Sequence, residues 1–491
     1  MRPIFIRCAG RLALLVATGL IASCRPSDQG AIRVAAIGPE LEFVDPAEGT
    51  LTAPAAVLLT ESAQGLVRFD ARGQIEPGLA ERWNVSDDGL SYIFRITAAE
   101  WPGGGRVTGQ QVAQSLKRQI AARSRNSLKD SLTAVDDIVA MTDRVVEIRL
   151  TAPRPNLLNL LAQPELAVVR DGQGTGPFRI ESIERGQFRL EQSVATPDAQ
   201  EERLKDVWLT SATAREAVEA FRAGTIDLVV GGSFADLPFA KAVELPGNAL
   251  RFDPVSGLFG LMPARDDGPL AKLELRRLLS QAIDREALIA ALGVAGLLPR
   301  ATVLEAGLEG VPDPLAPLWL GVPLEQRRAA LQGATGRLFE DQPRSIRIAL
   351  PEGPGSRIVL ERLQRDWGAL GIRVEQAATA GSADLRLIDE VAPSLSPAWF
   401  VRHFRCDAAA ICSVAIDQLL ESARASVIPA QRSALLAEAG RLIDEQQLFI
   451  PITAPVRWSL VSPRVVGFAG NRFGRHTLTS LDQALDRERA E

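Results

Sequence analysis

The stretch GLVRFDARGQIEPGLAERWNVSDDGLSYIFRI, residues 65–96, decides the fold. Its last part, LSYIFRI, alternates polar and apolar side chains, which predicts a strand with one buried face. Asp87-Asp88-Gly89, just before this strand, is typical of a tight turn, because these residue types adopt turn conformations easily. The stretch therefore predicts a hairpin, with Trp83 as a core aromatic residue.

Strands and amphipathic helices alternate through the rest of the chain. The sequence predicts strands in AIRVAAI and RVVEIRLT and a helix over residues 108–123. It predicts a helix followed by a strand at 213–231, 356–376 and 429–452, and one continuous helix at 272–293. This alternation predicts a mixed α/β protein.

Length and charge limit the classes of protein that fit. A chain of 491 residues is longer than one hydrophobic core usually organises, so we expect two or three domains. The formal net charge is −5 with both signs interspersed, which provides no basic patch for nucleic acid. The glycine-rich stretch at 103–105 lacks the lysine and the following helix of a phosphate-binding loop. We therefore expect neither nucleic-acid binding nor a cofactor.

The first residues have the pattern of an export signal. The apolar run at 12–22 follows three arginines and is shorter than the roughly 20 residues of a membrane-spanning helix. The sequence IASC that ends at Cys24 is similar to the lipobox of bacterial lipoproteins. We expect a signal peptide at 1–23, a tether at 24–30 and a lipid anchor on Cys24, which places the protein in the periplasm or cell envelope. The alternative is an ordinary cleaved signal with a coincidental cysteine.

Two further cysteines, Cys406 and Cys412, lie close together in RCDAAAICS. In an oxidising compartment such a pair is expected to form a small-loop disulfide, with buried free thiols as the alternative. A metal site is disfavoured, because the chain contains only two histidines, His403 and His476. We therefore expect no bound metal.

Six blocks of the sequence resemble, in the same order, family 5 of the extracellular solute-binding proteins, the peptide and nickel receptors of ABC importers. The blocks are VDPAEGT at 44–50, the opening stretch at 65–96, WPGGGRVTGQQVAQSLKR at 101–118, GTGPF at 174–178, FRAGTIDLV at 221–229 and LRRLLSQAIDREALI at 275–289. In the family the fourth block is a return strand and the sixth is a helix. Without the resemblance, the residues of these blocks are expected to support the fold and not to bind a ligand. We expect Trp101 in the core and Asp284-Arg285 at a helix surface or in a structural ion pair.

The resemblance implies an α/β fold of two lobes, a type II-like periplasmic-binding-protein fold that closes on a hinge around its ligand. An extra subdomain is inserted into the first lobe. The boundaries that we carry over are 31–50, 172–252 and 456–491 for the first lobe, 51–171 for its inserted subdomain, and 253–455 for the second lobe.

A closing cleft needs ligand contacts from both lobes. In the first lobe the resemblance indicates Glu42, Phe43 and Asp45, which follow the first strand, as well as the glycine-rich loop with Gly103 and Gly104. This loop departs from the family pattern, which has a polar pair where the chain has Pro102 and Gly103.

In the second lobe the family places ligand contacts after a strand similar to ADLRLID. Peptide-binding members have an aspartate there that meets the peptide's amino terminus, but this chain has Pro393 near that position. Two neighbouring acids a few residues earlier, Asp389 and Glu390, are candidates to replace this aspartate. Trp399 and Phe400 are candidates for an apolar wall of the site. A solvated turn is the alternative for the acids, and core packing is the alternative for the aromatic residues.

The resemblance implies a monomeric binding protein, not an enzyme, that captures a peptide or another small polar solute. It would deliver this solute to an ABC permease whose ATPase subunits are separate chains. An envelope scaffold or sensor with the same fold is one alternative. A secreted hydrolase is another, although GGSFA at 231–235 falls short of the Gly-x-Ser-x-Gly motif around Ser233.

Overall fold

A computed structural model of the chain describes residues 30–195, 202–339 and 343–483. The expected signal peptide, the lipid anchor on Cys24 and the tether up to residue 29 lie outside these described residues.

Within the described residues the chain forms thirteen α-helices, most of which alternate with strands as the sequence predicts. They are α1 Ala53–Ser62, α2 Gly109–Ile120, α3 Leu157–Leu161, α4 Ala214–Arg222, α5 Leu237–Lys241, α6 Leu273–Ala282, α7 Arg285–Leu292, α8 Leu324–Gln332, α9 Thr335–Phe339, α10 Pro354–Gly368, α11 Pro397–Arg402, α12 Val414–Ala425 and α13 Pro429–Glu445. Short 3-10 helices occupy Lys129–Leu132, Pro164–Leu166, Pro269–Ala271, Leu318–Gly321 and Ala380–Ser382.

The same residues contain twenty-two strands. They are β1 Ala31–Ile37, β2 Val67–Phe69, β3 Ile75–Pro77, β4 Ala80–Val85, β5 Ser91–Ile96, β6 Val135–Thr142, β7 Val145–Leu150, β8 Val169–Arg170, β9 Gln173–Gly174, β10 Arg179–Glu184, β11 Gln187–Ala195, β12 Glu202–Ala212, β13 Leu228–Ser233, β14 Leu250–Phe252, β15 Gly257–Pro263, β16 Ser345–Ala349, β17 Arg373–Gln376, β18 Leu385–Val391, β19 Ile450–Thr453, β20 Arg457–Val461, β21 Val465–Val466 and β22 Asp482–Gln483.

Two large sheets form two lobes. The first lobe carries a seven-stranded sheet in the order β10-β11-β12-β1-β13-β20-β14, in which β1 runs parallel to β12 and β13. The second lobe carries a five-stranded sheet in the order β17-β16-β18-β15-β19. The chain passes between the sheets at 253–256 and again at 454–456. These two crossing segments confirm the predicted two-lobed α/β fold.

The opening stretch lies in a smaller unit with its own hydrophobic core, which we call the small unit (residues 66–168). Its four-stranded sheet has the order β4-β5-β7-β6, and the predicted hairpin pairs β4 with β5. The carboxylate of Asp88 accepts hydrogen bonds from the Ser86 hydroxyl at 2.5 Å and from the Leu90 amide at 3.0 Å. Gly89 has a φ of 68°, which few other residues adopt in such a turn. Trp83 is half-buried against the core.

The prediction of one continuous helix at 272–293 is wrong, because the helix is interrupted between α6 and α7. Ile283 is extended, with φ −70° and ψ 127°, and the Asp284 carboxylate caps α7 by accepting a hydrogen bond from Ala287 N at 2.9 Å. An aspartate cap stabilises a new helix start more than it stabilises a helix interior. The break turns the Arg285 side chain into the protein.

The expected return strand at 174–178 is also wrong, because only Gly174 of this block belongs to a strand. The segment between β9 and β10 packs directly on the end of α1. A Cβ atom on Gly176 would lie 2.2 Å from the backbone oxygen of Glu61, so only glycine allows this approach.

None of the helices in the described residues is both long and apolar enough to span a bilayer.

Candidate functional site

The largest cavity that we describe lies between the small unit and the second lobe and has a volume of about 810 Å³. The small unit forms one wall with α3 and with residues that precede it in the chain. The opposite wall, from the second lobe, contains α11, α12 and α13. The lining residues fall within 130–133, 154–160, 309–311, 394–405, 417–424 and 429–436. A cavity of this volume is in the range of small-molecule binding sites.

The segment after β18 builds part of the second wall. Ser396 precedes α11, whose first residue is Pro397, and Trp399 faces the cavity although only 5% of its surface is exposed. The ring of Trp399 packs edge-on against Phe400, with 5.0 Å between ring centroids. Phe400 is fully buried in the core of the second lobe and does not line the cavity.

Only some of the charged side chains that line the cavity form ion pairs. Four acids and five arginines line it: Asp130, Glu309, Asp417, Glu421, Arg154, Arg402, Arg405, Arg424 and Arg432. Arg405 pairs with Asp407 at 2.8 Å, and Arg424 pairs with Glu421 through its Nε at 3.0 Å. The other three arginines form no ion pair with any carboxylate in the described ranges. We call Arg154, Arg402 and Arg432 the cavity arginines.

The cavity arginines bond instead to neutral oxygens on the opposite side of the cleft. Arg154 Nη2 donates to the backbone oxygen of Arg424 at 3.2 Å, and Arg432 Nη1 donates to the backbone oxygen of Pro153 at 2.6 Å. Arg402 Nη1 donates to the Ser131 hydroxyl. These hydrogen bonds hold the small unit against the second lobe.

Burial lowers the pKa of each of the cavity arginines. It lowers the pKa of Arg154 to about 10, and the nearby charges of Arg432 and Arg424 contribute to the lowering of this pKa. Burial also lowers the pKa of Arg402 and the pKa of Arg432. All three remain cationic near neutral pH, so the cavity favours an anionic or strongly hydrogen-bonding ligand.

The two acids that the resemblance indicates in the second lobe both have partners. Arg457 Nη1 donates to the two carboxylate oxygens of Asp389 at 2.9 and 3.0 Å. Burial raises the pKa of Asp389, and the charge of Arg457 opposes that shift. This ion pair ties β18 to the start of β20, and Asp389 does not line the cavity.

Glu390 is also outside the cavity lining. Its Oε2 lies 3.1 Å from His403 Nε2, and this hydrogen bond lowers the pKa of Glu390, whose side chain is exposed. His403 Nδ1 lies 2.8 Å from the backbone oxygen of Trp399. The Glu390–His403 pair therefore supports the back of α11.

The candidates in the first lobe form turns elsewhere. Asp45 accepts hydrogen bonds from Ala47 N at 2.9 Å and from Arg118 Nη2 at 2.8 Å. Glu42 is exposed, and Phe43 packs partly buried against the core of the first lobe. None of these three side chains lines the cavity.

The glycine-rich loop is an exposed turn of the small unit. Gly104 N donates to the backbone oxygen of Trp101 at 2.8 Å, and Gly104 and Gly105 have φ values of 90° and 89°. Gly103 lies in the same turn, where a Cβ atom added to it would be 3.2 Å from the side-chain oxygen of Gln173. The structure therefore does not bring this loop to the cavity, while Trp101 is buried in the core.

The remaining chemical groups of the sequence are placed as follows. A disulfide joins Cys406 to Cys412, and the Cys406 amide donates to the carboxylate of Asp417 on the cavity wall at 3.3 Å. The Ser233 hydroxyl donates to Asp236 Oδ2 at 2.9 Å. Within the described residues no group of three or more His, Cys, Asp or Glu side chains could hold a metal ion.

A second groove of about 740 Å³ runs along the two crossing segments. Its charged groups are largely paired: Arg300 with Glu305, and Asp253, whose Oδ2 lies 3.1 Å from Nε2 of His476 outside the groove lining. The groove is otherwise lined mostly by proline, alanine, valine and leucine. It therefore offers a polar solute less than the first cavity does.

Sequence reasoning missed all three cavity arginines. They lie in separate parts of the chain and no local motif contains more than one of them. The one useful signal was the position of the segment after β18, which placed Trp399 near the cleft.

Comparison with known proteins identifies one family. Residues 74–399 match the family model described as bacterial extracellular solute-binding proteins, family 5 Middle. The periplasmic oligopeptide-binding protein OppA of Salmonella typhimurium is 22% identical over 488 residues, covering 88% of this chain and 89% of that protein. The glutathione-binding protein GsiB of Escherichia coli is 27% identical over 196 residues, covering 37% of each chain.

Solved structures share the fold at low sequence identity. OppA of Haemophilus influenzae, in complex with the peptide RPPGFSPFR, has a TM-score of 0.77 at 18% identity, covering 92% of this chain and 99% of that one. The murein tripeptide binding protein MppA of Escherichia coli has a TM-score of 0.78 at 18% identity, covering 92% and 98%.

Proposed function

The chain belongs to family 5 of the bacterial extracellular solute-binding proteins, and we propose that it is the substrate-binding component of an ABC importer. It captures a peptide or another small polar solute in the cavity between the small unit and the second lobe. The observation that carries the proposal is that both bodies line this cavity, so closure adds contacts to a bound ligand. Relatives that bind oligopeptides and glutathione support a peptide-like solute.

The lobes of this proposal have the boundaries expected from the sequence. The first lobe comprises 31–50, 172–252 and 456–491, its inserted subdomain comprises 51–171, and the second lobe comprises 253–455. The crossing segments at 253–256 and 454–456 support the two boundaries at the hinge.

The proposed protein acts as a monomer in the periplasm, anchored to a membrane by a lipid on Cys24. It delivers its solute to a permease whose ATPase subunits are separate chains. The periplasmic relatives support this compartment.

The protein performs no chemistry in this proposal and needs no cofactor. The relatives are binding proteins. The hydrolase alternative lacks support at Ser233, because its hydroxyl donates to Asp236 and the two histidines contact other carboxylates.

A thermal-shift screen of the purified protein tests the proposal. The probes are peptide mixtures, single amino acids, opines, small sugars and nickel. A ligand present at 100 times its dissociation constant adds about 2.7 kcal/mol to the free energy of unfolding, which raises the melting temperature measurably. We expect peptides to give the shift. Silence of every class with folded protein would favour the scaffold or sensor alternative.

A further inference from the structure

Two arginines from opposite sides of the cavity converge on one carbonyl group. Arg154 Nη1 and Arg432 Nη1 both donate to the backbone oxygen of Pro153, at 2.9 and 2.6 Å. Arg154 belongs to the small unit and Arg432 to α13 of the second lobe. The contact between the two walls therefore brings two like charges to the same point.

This arrangement lacks a counter-ion. Both side chains are half-buried, and no carboxylate of the described ranges forms an ion pair with either. Three of the acids that line the cavity, Asp130, Glu309 and Glu421, are exposed, and Glu421 already pairs with Arg424. The fourth, Asp417, is half-buried and accepts from the Cys406 amide.

The two guanidinium groups also keep unused donors. A guanidinium presents several N–H groups in a planar fork that matches the two oxygens of a carboxylate. The described contacts of Arg432 use only Nη1, and those of Arg154 use its two terminal nitrogens on backbone oxygens. A carboxylate between them would accept from both forks and offset the repulsion.

We infer that the cavity selects an acidic solute, whose carboxylate lies between Arg154 and Arg432, with Arg402 as a third cation on the same wall as Arg432. This inference rests on the proposed function and specifies its ligand class. Because the two forks come from different bodies, the anion joins them directly. An acidic ligand therefore stabilises the closed cleft more than a neutral ligand of the same size.

Isothermal titration calorimetry with three related peptides tests the ligand class on the unmodified protein. The probes are Ala-Ala-Ala with a free carboxylate, its C-terminal amide, and the amide of Ala-Glu-Ala. We expect the free acid to bind at least about 10-fold more tightly than the amide, as the loss of a charge-assisted hydrogen bond predicts. Recovery of affinity in the glutamate amide would identify a side-chain carboxylate as sufficient, and no recovery would identify the terminal carboxylate as the bound group.

Two variants locate the contact. Arg154→Gln and Arg432→Gln should each weaken binding of the free acid at least about 10-fold and change binding of the amide less than about threefold. Arg441→Gln is the matched control, because Arg441 lies on the same helix as Arg432 but outside the cavity, paired with Glu438 and Glu445. Circular dichroism establishes that each variant is folded, and the comparison of peptide forms stands without any variant.

The outcomes separate this inference from the proposed function. Equal binding of acid and amides would overturn the inference and leave peptide capture intact. If no peptide binds, thermal shifts with succinate and with inorganic phosphate at constant ionic strength decide it. Shifts that disappear in Arg432→Gln but not in Arg441→Gln would support the acidic cavity without peptide capture. If neither succinate nor phosphate shifts the melting temperature, the inference is overturned.

Discussion

Glu61 is a carboxyl group of α1 that is completely buried beneath the C-terminal segment. Its Oε1 accepts a hydrogen bond from Leu478 N at 2.8 Å. Burial raises the pKa of Glu61 from 4.5 to about 7, although this hydrogen bond and the charges of Arg68 and Lys205 oppose the shift. A raised pKa in the folded state means that folding takes up a proton between these two pH values.

The stability that this proton contributes is complete below pH 4.5 and is lost as the pH rises through about 7. We predict that Glu61→Gln, which imitates the neutral form, raises the free energy of unfolding at pH 8 by up to about 3 kcal/mol. At pH 4 the variant and the original protein should be equally stable. Urea denaturation at the two pH values measures this, with the exposed Glu48→Gln as control. A variant that is less stable at pH 8 would contradict the prediction.

Single residues show where sequence interpretation reached its limit. Asp389, within β18, was a candidate for the ligand's amine because it lies a few residues before Pro393, where the family has its aspartate, but Arg457 satisfies its carboxylate. These two residues are 68 positions apart, so no local pattern joins them. The sequence could nominate a carboxylate but could not say which charge would lie beside it.

At the scale of elements, Arg285 holds three of them together. Its Nε donates to the backbone oxygen of Pro451 in β19 at 2.8 Å, and its Nη1 donates to the backbone oxygen of Ser280 in α6 at 2.8 Å. Nη2 donates to the Ser280 hydroxyl at 3.1 Å. Burial lowers the pKa of Arg285 to about 9. The side chain thus joins α6, its own helix α7 and β19.

We predict that Arg285→Lys lowers the free energy of unfolding by about 3 kcal/mol, because an ammonium group cannot reproduce the fork and leaves buried carbonyls without donors. Urea denaturation at neutral pH measures the loss. Arg365→Lys, at an exposed position on α10, is the matched control and should change stability by less than about 0.5 kcal/mol. Equal effects of the two variants would mean that the fork does not join these elements.

Most elements could be predicted because their patterns are local. The alternation in LSYIFRI predicts β5, and the apolar face with Val112 and Leu116 predicts α2, which a capping box at Thr108 begins. The break before α7 was missed, since its residues continue the helical pattern of α6. The Asp284 cap that starts α7 is local, but the partner of Arg285 in β19 lies 166 positions away, so the sequence around the break does not contain it.

The assembly of the whole molecule was predictable only through the family resemblance. Two lobes joined by two crossing segments follow from six ordered blocks, whereas the cavity arginines follow from none of them. Arg154 and the residue whose backbone oxygen it contacts, Arg424, are 270 positions apart. Such pairs meet only after both bodies have folded, so the chemistry of the cleft is a property of the tertiary structure.

Closure of the whole molecule can be tested at a contact outside the cavity. Gln163 Nε2 of the small unit donates to the backbone oxygen of Pro393 in the second lobe at 2.8 Å, and its Oε1 accepts from Arg475 Nε at 3.3 Å. Gln163 does not line the cavity. Removing its contact with Pro393 should therefore favour the open arrangement without changing any group that meets the ligand.

We predict that Gln163→Ala weakens binding of an identified ligand about 3- to 10-fold, because the apparent dissociation constant rises as the closed population falls. Small-angle X-ray scattering of the unliganded variant should give a larger radius of gyration than that of the original protein, and saturating ligand should remove the difference. Gln114→Ala, at an exposed position on α2, should change neither quantity. Weaker binding with an unchanged radius of gyration would mean that Gln163 affects the ligand by a route other than closure. Weaker binding together with a larger radius of gyration would make this contact part of the equilibrium between open and closed lobes.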